Sequence, residues 1–308
     1  MQVSAASAKP SAIAVWMQAC RVKSLAISTI GVLAGAAVAV HDGYWSWRIL
    51  IAWLGSVLIQ AGTNLTNVSY NYKGGGAGPG IQADTKSSSA VVHAGLLTPA
   101  QVRRGGIVCF GFGIACGLAL TWLCGPAILW LGLPAVLAGY SYAGPPFRLG
   151  YRGLGVVTVF LFMGPVMVGG AYYVMALSFS RNAFLVSIPI GLLAAGIMHV
   201  NDVRDFHADV VHGKRTLSTL TGRRGASHTL AIIDVAAYVS VAVAVLAGWL
   251  PWPVLIVAIT IPRVIGQLKL IYRDDSRDTL HEAWLRGVKL HSEFGLLLIL
   301  GLCAARFL

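Results

Sequence analysis

The chain has 308 residues, of which 56% are hydrophobic and only 11% charged. So little polar side-chain surface cannot cover a soluble globule, and the composition excludes a water-soluble domain. The net charge of +12 comes from basic residues set between apolar blocks rather than gathered on one polar face. It argues against nucleic acid as a partner and reads as a membrane topology signal.

A helix crossing the hydrocarbon core of a bilayer needs about 20 residues, and the sequence supplies about nine blocks of that kind. In chain order they cover residues 11–40, 44–72, 100–124, 127–143, 153–177, 183–205, 226–250, 253–272 and 289–308. The opening stretch MQVSAASAKPSAIAVW has no compact signal-peptide pattern and is expected to be retained. With the N-terminus inside, the outer connections hold only Arg48, Arg181 and Arg306, and Arg263 lies within a span. All other Lys and Arg fall on the inner side, so the N-terminus is expected to be cytoplasmic. The outer connections are short, whereas inner segments 73–99 and 206–225 are long and polar and could cap the bundle. A third inner segment, 273–287, is charged and predicted to lie as an interfacial helix. Cys20, Cys109, Cys116, Cys124 and Cys303 lie in or beside apolar blocks without metal-like pairing and read as packing thiols.

The polar residues worth most attention gather at the inner end of the sixth block: Asn201, Asp202, Arg204, Asp205 and Asp209, followed by His212-Gly213-Lys214-Arg215-Thr216. Asn201, Asp205 and Asp209 recur at i, i+4, i+8 and share one face of a continuing helix. Asp202 can lean on the same site. Carboxylates crowded at the end of an apolar helix repel one another unless a cation joins them. An oxygen-only set suits Mg²⁺, which keeps several waters and bridges to phosphate oxygens. Lys214 and Arg215 could then grip phosphates directly. The second block ends in a matching run: Asn67, Asn71 and Gly75 repeat the spacing of Asn201, Asp205 and Asp209. Four blocks separate the two runs, which suggests two pseudo-repeated four-helix units plus one helix.

Several stretches together resemble the UbiA superfamily of intramembrane prenyltransferases, in the branch of the 1,4-dihydroxy-2-naphthoate polyprenyltransferases. They are Gln60 to Asn67, Ala94 to Thr98, Tyr140-Ser141-Tyr142, Pro145 to Leu149, Tyr151 to Gly155, Phe162 to Pro165 and Gly170 to Tyr173. The most specific are Asn201-Asp202-Val203-Arg204-Asp205 and Gly213-Lys214-Arg215-Thr216-Leu217. The resemblance implies one all-α integral membrane domain over 1–308, its helices set around a central cavity. It implies transfer of an isoprenoid chain from a polyprenyl diphosphate to an aromatic, quinone-precursor-like small molecule, with Mg²⁺ as cofactor. Catalytic and metal-binding roles would fall to Asn67, Asn71, Asp202, Asp205 and Asp209. Substrate binding would fall to Asn64, Lys73, Tyr142, Arg148, Arg152, Arg204, Lys214 and Arg215. A bacterial inner membrane is the implied location, with membrane lipid as the surrounding partner.

The sequence departs from the family pattern in one half of that site. Where the family's first motif carries three acids, this chain has Val68, Asn71 and Gly75. Val156 replaces a further acid, and the tract Ser87-Ser88-Ser89 stands where the family has an arginine. Asp84, the acid of the 73–99 segment, is a candidate displaced ligand, and Lys86 a further candidate cation. An amide can coordinate Mg²⁺ through its oxygen but brings no charge. Three readings follow: a transferase with altered metal use, a chain with a different donor or a cyclisation, and a non-catalytic isoprenoid-lipid binder. Outside these motifs, Asp234 and Arg263 are a candidate intramembrane pair, and His291 and Glu293 read as interfacial. Trp45, Trp47, Trp252 and Tyr272 read as interface anchors.

Overall fold

The computed structural model describes residues 10–72 and 88–307. Among them there is helix and turn but no strand; the only extended pairing is a bridge between Arg152 and Arg215. Among the described residues eight helices are long and apolar enough to cross a bilayer, and a shorter apolar one, Ala127–Ser141, has 15 residues. The predicted nine spans are therefore eight long helices and one short one.

The first predicted span is not continuous. α1 (Ala12–Ala19) opens on Ser11, whose Oγ accepts from Ala14 N at 3.2 Å. The chain then turns at Arg21, in the left-handed region at φ 53°, passes through a 3₁₀ turn and resumes as α2 (Ala26–His41). Carbonyls released by such a break need donors. They come from α3 (Ile49–Asn71): Asn64 Nδ2 donates to Cys20 O at 2.9 Å and Gln60 Nε2 to Ser24 O at 2.9 Å.

A one-turn helix α4 (Ala90–His93) leads to α5 (Pro99–Cys124), which starts on a Thr98–Gln101 capping box with Pro99 in its first turn. α6 (Ala127–Ser141) follows. The next span, Gly155–Ala176, is one rod made of α7 (Gly155–Leu161), a π-helical turn Phe162–Val166 and α8 (Met167–Ala176). Pro165 lies in the π turn, where the widened ladder accommodates its missing N–H. α9 (Arg181–Arg204) is the most enclosed helix, with Val186, Ile190, Leu193, Ala194 and Ile197 all buried. It is followed by short α10 (Phe206–Val211) and long α11 (Leu217–Leu246), the latter kinked at Gly222.

A 3₁₀ stretch feeds α12 (Ile261–Arg273), and α13 (Arg277–Ala305) ends the bundle. The charged segment 273–287 is not a separate interfacial helix: its larger part forms the first turns of α13. Ser276 caps that helix, and Leu280, Ala283, Trp284, Gly287 and His291 continue one buried stripe along it, so nothing stops propagation. Asp234 does not pair with Arg263, which bonds Glu293 on α13 instead; Asp234 is buried on α11.

Helices approach closely where glycine faces a neighbour. A Cβ on Gly35 of α2 would stand 2.3 Å from Val168 O and 2.8 Å from Ala171 Cβ, whereas one on Gly117 would meet nothing within 4 Å. Gly35→Ala is expected to destabilise the bundle by about 1–3 kcal/mol. Thermal unfolding in detergent checks it, with Gly117→Ala as the variant that keeps its midpoint.

Candidate active site

The ends of α3, α9 and α10 meet around a polar cavity of about 100 Å³. Asn67 and Asn71 line one side, Asn201, Asp202, Asp205 and Asp209 the other, and Arg21, Arg204 and Lys214 complete it. Asn67 and Asn71 of the first run thus face the second run, Asn201, Asp205 and Asp209.

The three carboxylates do not share one point, because α9 ends at Asp205 and α10 restarts after it. Asp205 turns to Arg204, which donates to both its oxygens at 3.0 and 3.1 Å. Asp202 and Asp209 turn instead to Lys214, whose Nζ lies 3.9 Å from Asp202 Oδ1 and 3.1 Å from Asp209 Oδ2. That arrangement depends on Gly213, which at φ 65° takes the left-handed turn a side chain would oppose. The turn folds the chain back, so Lys214 N donates to Asp209 O at 2.8 Å. Burial pushes the Asp209 carboxyl up to about 6, against the pull of the Lys214 charge. Burial also works to lower Lys214, but the charges of Asp202, Asp209 and Asp205 outweigh it and hold the ammonium above its ordinary range.

Among the described residues, α3 brings no charged side chain to the cavity. Asn71 Nδ2 donates to Asn67 Oδ1 at 2.6 Å, and Tyr151 OH donates to Asn71 Oδ1. Burial raises the Tyr151 phenol, so it stays a donor. Val68, where the family motif has an acid, is 1% exposed and packs with Val15, Ala19, Leu65 and Val91. Beside the polar cavity lies an apolar one of about 250 Å³, lined by residues such as Val32, Ile59, Leu131, Phe162, Met163 and Met167. Tyr142 lines both and stands at their junction.

The sequence profile of the UbiA prenyltransferase family matches residues 28–292, most of the chain. The chain belongs to that family. Among curated UbiA-type relatives it is 28% identical to the 1,4-dihydroxy-2-naphthoate octaprenyltransferase of Bacillus subtilis (strain 168), over 94% of this chain and 92% of that protein. It is 26% identical to the 2-carboxy-1,4-naphthoquinone phytyltransferase of Synechocystis sp., over 96% of this chain and 95% of that protein. In fold it is similar to a UbiA homolog from Aeropyrum pernix K1, with a TM-score of 0.65 at 16% identity over 90% of this chain and 97% of that one. A UbiA homolog from Archaeoglobus fulgidus bound to GPP and Mg²⁺ aligns with a TM-score of 0.61 at 14% identity, over 92% of this chain and 99% of that one.

Not every residue singled out from the UbiA resemblance lines the polar cavity. Asn64 is engaged with Cys20 O and Ser24 Oγ, holding the break between α1 and α2. Arg148 is exposed in a surface hollow with Tyr70, Tyr72 and Arg103. Arg152 and Arg215 form the extended bridge, where Arg215 N donates to Tyr151 O at 3.2 Å and Gly153 N to Arg215 O at 2.7 Å. Lys73, Gly75, Asp84 and Lys86 lie outside the described residues.

Conversely, Arg21 and Arg277 line the cavity without a motif pointing to them, and Tyr151 and Ser88 line it without a role assigned from the sequence. Arg21 had a readable signal, since a charge inside an apolar block is expensive and marks a functional position. Its Nε donates to Ser88 Oγ at 2.8 Å.

The donor set fits one hard divalent cation on the α9–α10 side. Asp202 and Asp209 both face Lys214 Nζ and so border one spot with carboxylate oxygens, the donor such a cation takes. The α3 side can add amide oxygens from Asn67 and Asn71, but both already accept bonds within the protein. Among the described residues no three His, Cys, Asp or Glu side chains converge on one point.

Proposed function

We propose that this chain transfers an isoprenoid chain from its diphosphate to an aromatic acceptor of the naphthoate kind, at the cavity between the ends of α3 and α9. One observation carries the reading: a cationic and acidic cavity adjoins an apolar one across Tyr142, matching a donor with a charged head and an apolar tail. Lys214, Arg21 and Arg204 would hold the diphosphate oxygens. Asp202 and Asp209 would hold Mg²⁺, with Asn67 and Asn71 as uncharged donors. Bound there, Mg²⁺ supplies charge neutralisation for the departing diphosphate.

The allylic C–O bond breaks with its electron pair leaving on the diphosphate, whose growing charge Lys214 and Arg21 stabilise. The allylic carbon then bonds to an acceptor ring carbon, and the ring loses a proton. The apolar cavity keeps water from the cation meanwhile. We place the protein in a bacterial inner membrane with the N-terminus, and hence this site, on the cytoplasmic side; the basic connections at this end support that orientation.

The uncharged α3 side favours a second reading, an isoprenoid-lipid binder without turnover. Purified protein in lipid vesicles, given labelled prenyl diphosphates of several lengths, Mg²⁺ and a panel of aromatic acceptors, separates the two. Prenylated product is the expected outcome, abolished by EDTA. Lys214→Met is expected to lower kcat/KM by about 10²-fold, as loss of one charge-stabilising donor does. A donor that binds without being consumed supports the second reading, and diphosphate release without any acceptor supports a cyclisation.

A further inference from the structure

Five charged side chains that do not line the polar cavity lie on two helices, α12 and α13, rather than on the connection between them. Arg263 of α12 and Glu282, Arg286, Lys289 and Glu293 of α13 line an outward-facing groove of about 820 Å³. Their side chains remain accessible, 46% for Arg263 and 63% for Lys289, so they face the surroundings and not the bundle interior. Arg263 and Glu293 lie well inside their spans, where ionised groups are costly without partners. Part of the cost is met inside the groove. Arg263 Nε pairs with Glu293 Oε2, and Arg286 Nε donates to Glu282 Oε1 at 3.0 Å. Arg286 Nη1 also donates to Gly266 O at 3.2 Å.

Lys289 is left over. Its Nζ is 3.9 Å from Glu293 Oε1, and that carboxylate already serves Arg263. Three cations against two carboxylates leave the groove one positive charge in surplus. The groove also changes character along its length. Glu282, Arg286 and Lys289 occupy the end nearer the start of α13, while Ile259, Leu296 and Leu297 line the other end. Arg286 and Leu297 are separated by roughly 16 Å of helix, a spacing that suits an amphiphile with an anionic head and a long apolar tail.

We propose that this groove binds an anionic phospholipid, its phosphodiester held by Lys289 and Arg286 and one acyl chain lying along Ile259, Leu296 and Leu297. Charge decides against a second copy of the chain as occupant, because a twofold partner would bring the same surplus charge to the same place. This site is separate from the proposed transferase site, and its test does not depend on turnover.

The test uses the full chain in phosphatidylcholine nanodiscs doped with phosphatidylglycerol, with retained lipid counted by native mass spectrometry. The unaltered chain is expected to keep phosphatidylglycerol over phosphatidylcholine and to release it as salt is raised. Lys289→Gln and Arg286→Gln should each weaken that retention by about fivefold, the worth of one basic residue near an anionic lipid. Lys269→Gln, an exposed cation on α12 outside the groove, should leave it unchanged. Equal retention in the Lys289→Gln/Arg286→Gln double variant would overturn the proposal. So would salt-insensitive retention by the unaltered chain, displacement by inorganic phosphate alone, or a dimer that dissociates in Arg286→Gln with lipid retention unaltered.

Discussion

Asp209→Asn and Asp202→Asn, made singly, are each expected to lower diphosphate release by about 10²–10³-fold, the usual cost of removing a group that stabilises charge at the breaking bond. Both carboxylates face the Lys214 ammonium, at 3.1 and 3.9 Å, from a largely buried position. Each substitution removes an anionic oxygen from the position that fits Mg²⁺ and also strands part of a buried ion pair. Asp205→Asn is expected to cost less, about tenfold, because Asp205 is committed to Arg204. Measuring kcat/KM for diphosphate release across a Mg²⁺ titration checks the order. Loss in Asp205→Asn as deep as in Asp209→Asn would restore the shared helical face expected from the i, i+4, i+8 spacing. It would also refute the division of labour read from the side-chain geometry.

That contrast shows where sequence reasoning reaches its limit here. Composition and apolar blocks were enough for the class and for most spans, because a bilayer imposes one length and one hydrogen-bonding solution on every crossing helix. The facing of Asn67 and Asn71 on Asn201, Asp202, Asp205 and Asp209 was legible from matched spacing in two distant helices. The break at Arg21 was not, since the donors that tolerate it, Gln60 and Asn64, lie in another helix. Nor was the partition of the three acids. It follows from a helix end at Asp205 and a left-handed turn at Gly213, local backbone choices that a periodic pattern does not carry. The backbone bridge between Arg152 and Arg215 was not legible either, because it joins two distant loops without a repeating pattern. Residues 273–287 were separated from the last span on charge alone. A capped helix whose buried stripe continues through Leu280, Trp284 and His291 needs no apolar outer face to extend into water.

The missing acids of the α3 side are not equivalent positions, and restoring them separates two effects. Val68 is 1% exposed in an apolar cluster with Val15, Leu65 and Val91. Val68 also borders the polar cavity that Arg21 lines, yet an acid there disrupts the apolar packing, so Val68→Asp is expected to destabilise the protein by roughly 3–5 kcal/mol as long as no cation pairs with it. Asn71 lines the same cavity as a polar group, bonded to Asn67 and Tyr151. A carboxylate there keeps the Tyr151 bond but loses the donor to Asn67 Oδ1, bringing two acceptor oxygens together. Mg²⁺ relieves that conflict, so Asn71→Asp is expected to lower the thermal midpoint without Mg²⁺ and recover it on addition. Ligand binding to the folded state alone produces this linkage. A tenfold gain in Mg²⁺ affinity would appear as about 1.4 kcal/mol of extra stabilisation once metal is saturating for both proteins. Thermal unfolding of both variants across a Mg²⁺ series, with Ca²⁺ and Na⁺ as comparison, measures it. A midpoint for Asn71→Asp that ignores Mg²⁺ would mean that the α3 side takes no part in holding a cation. Metal binding would then rest on Asp202 and Asp209 alone.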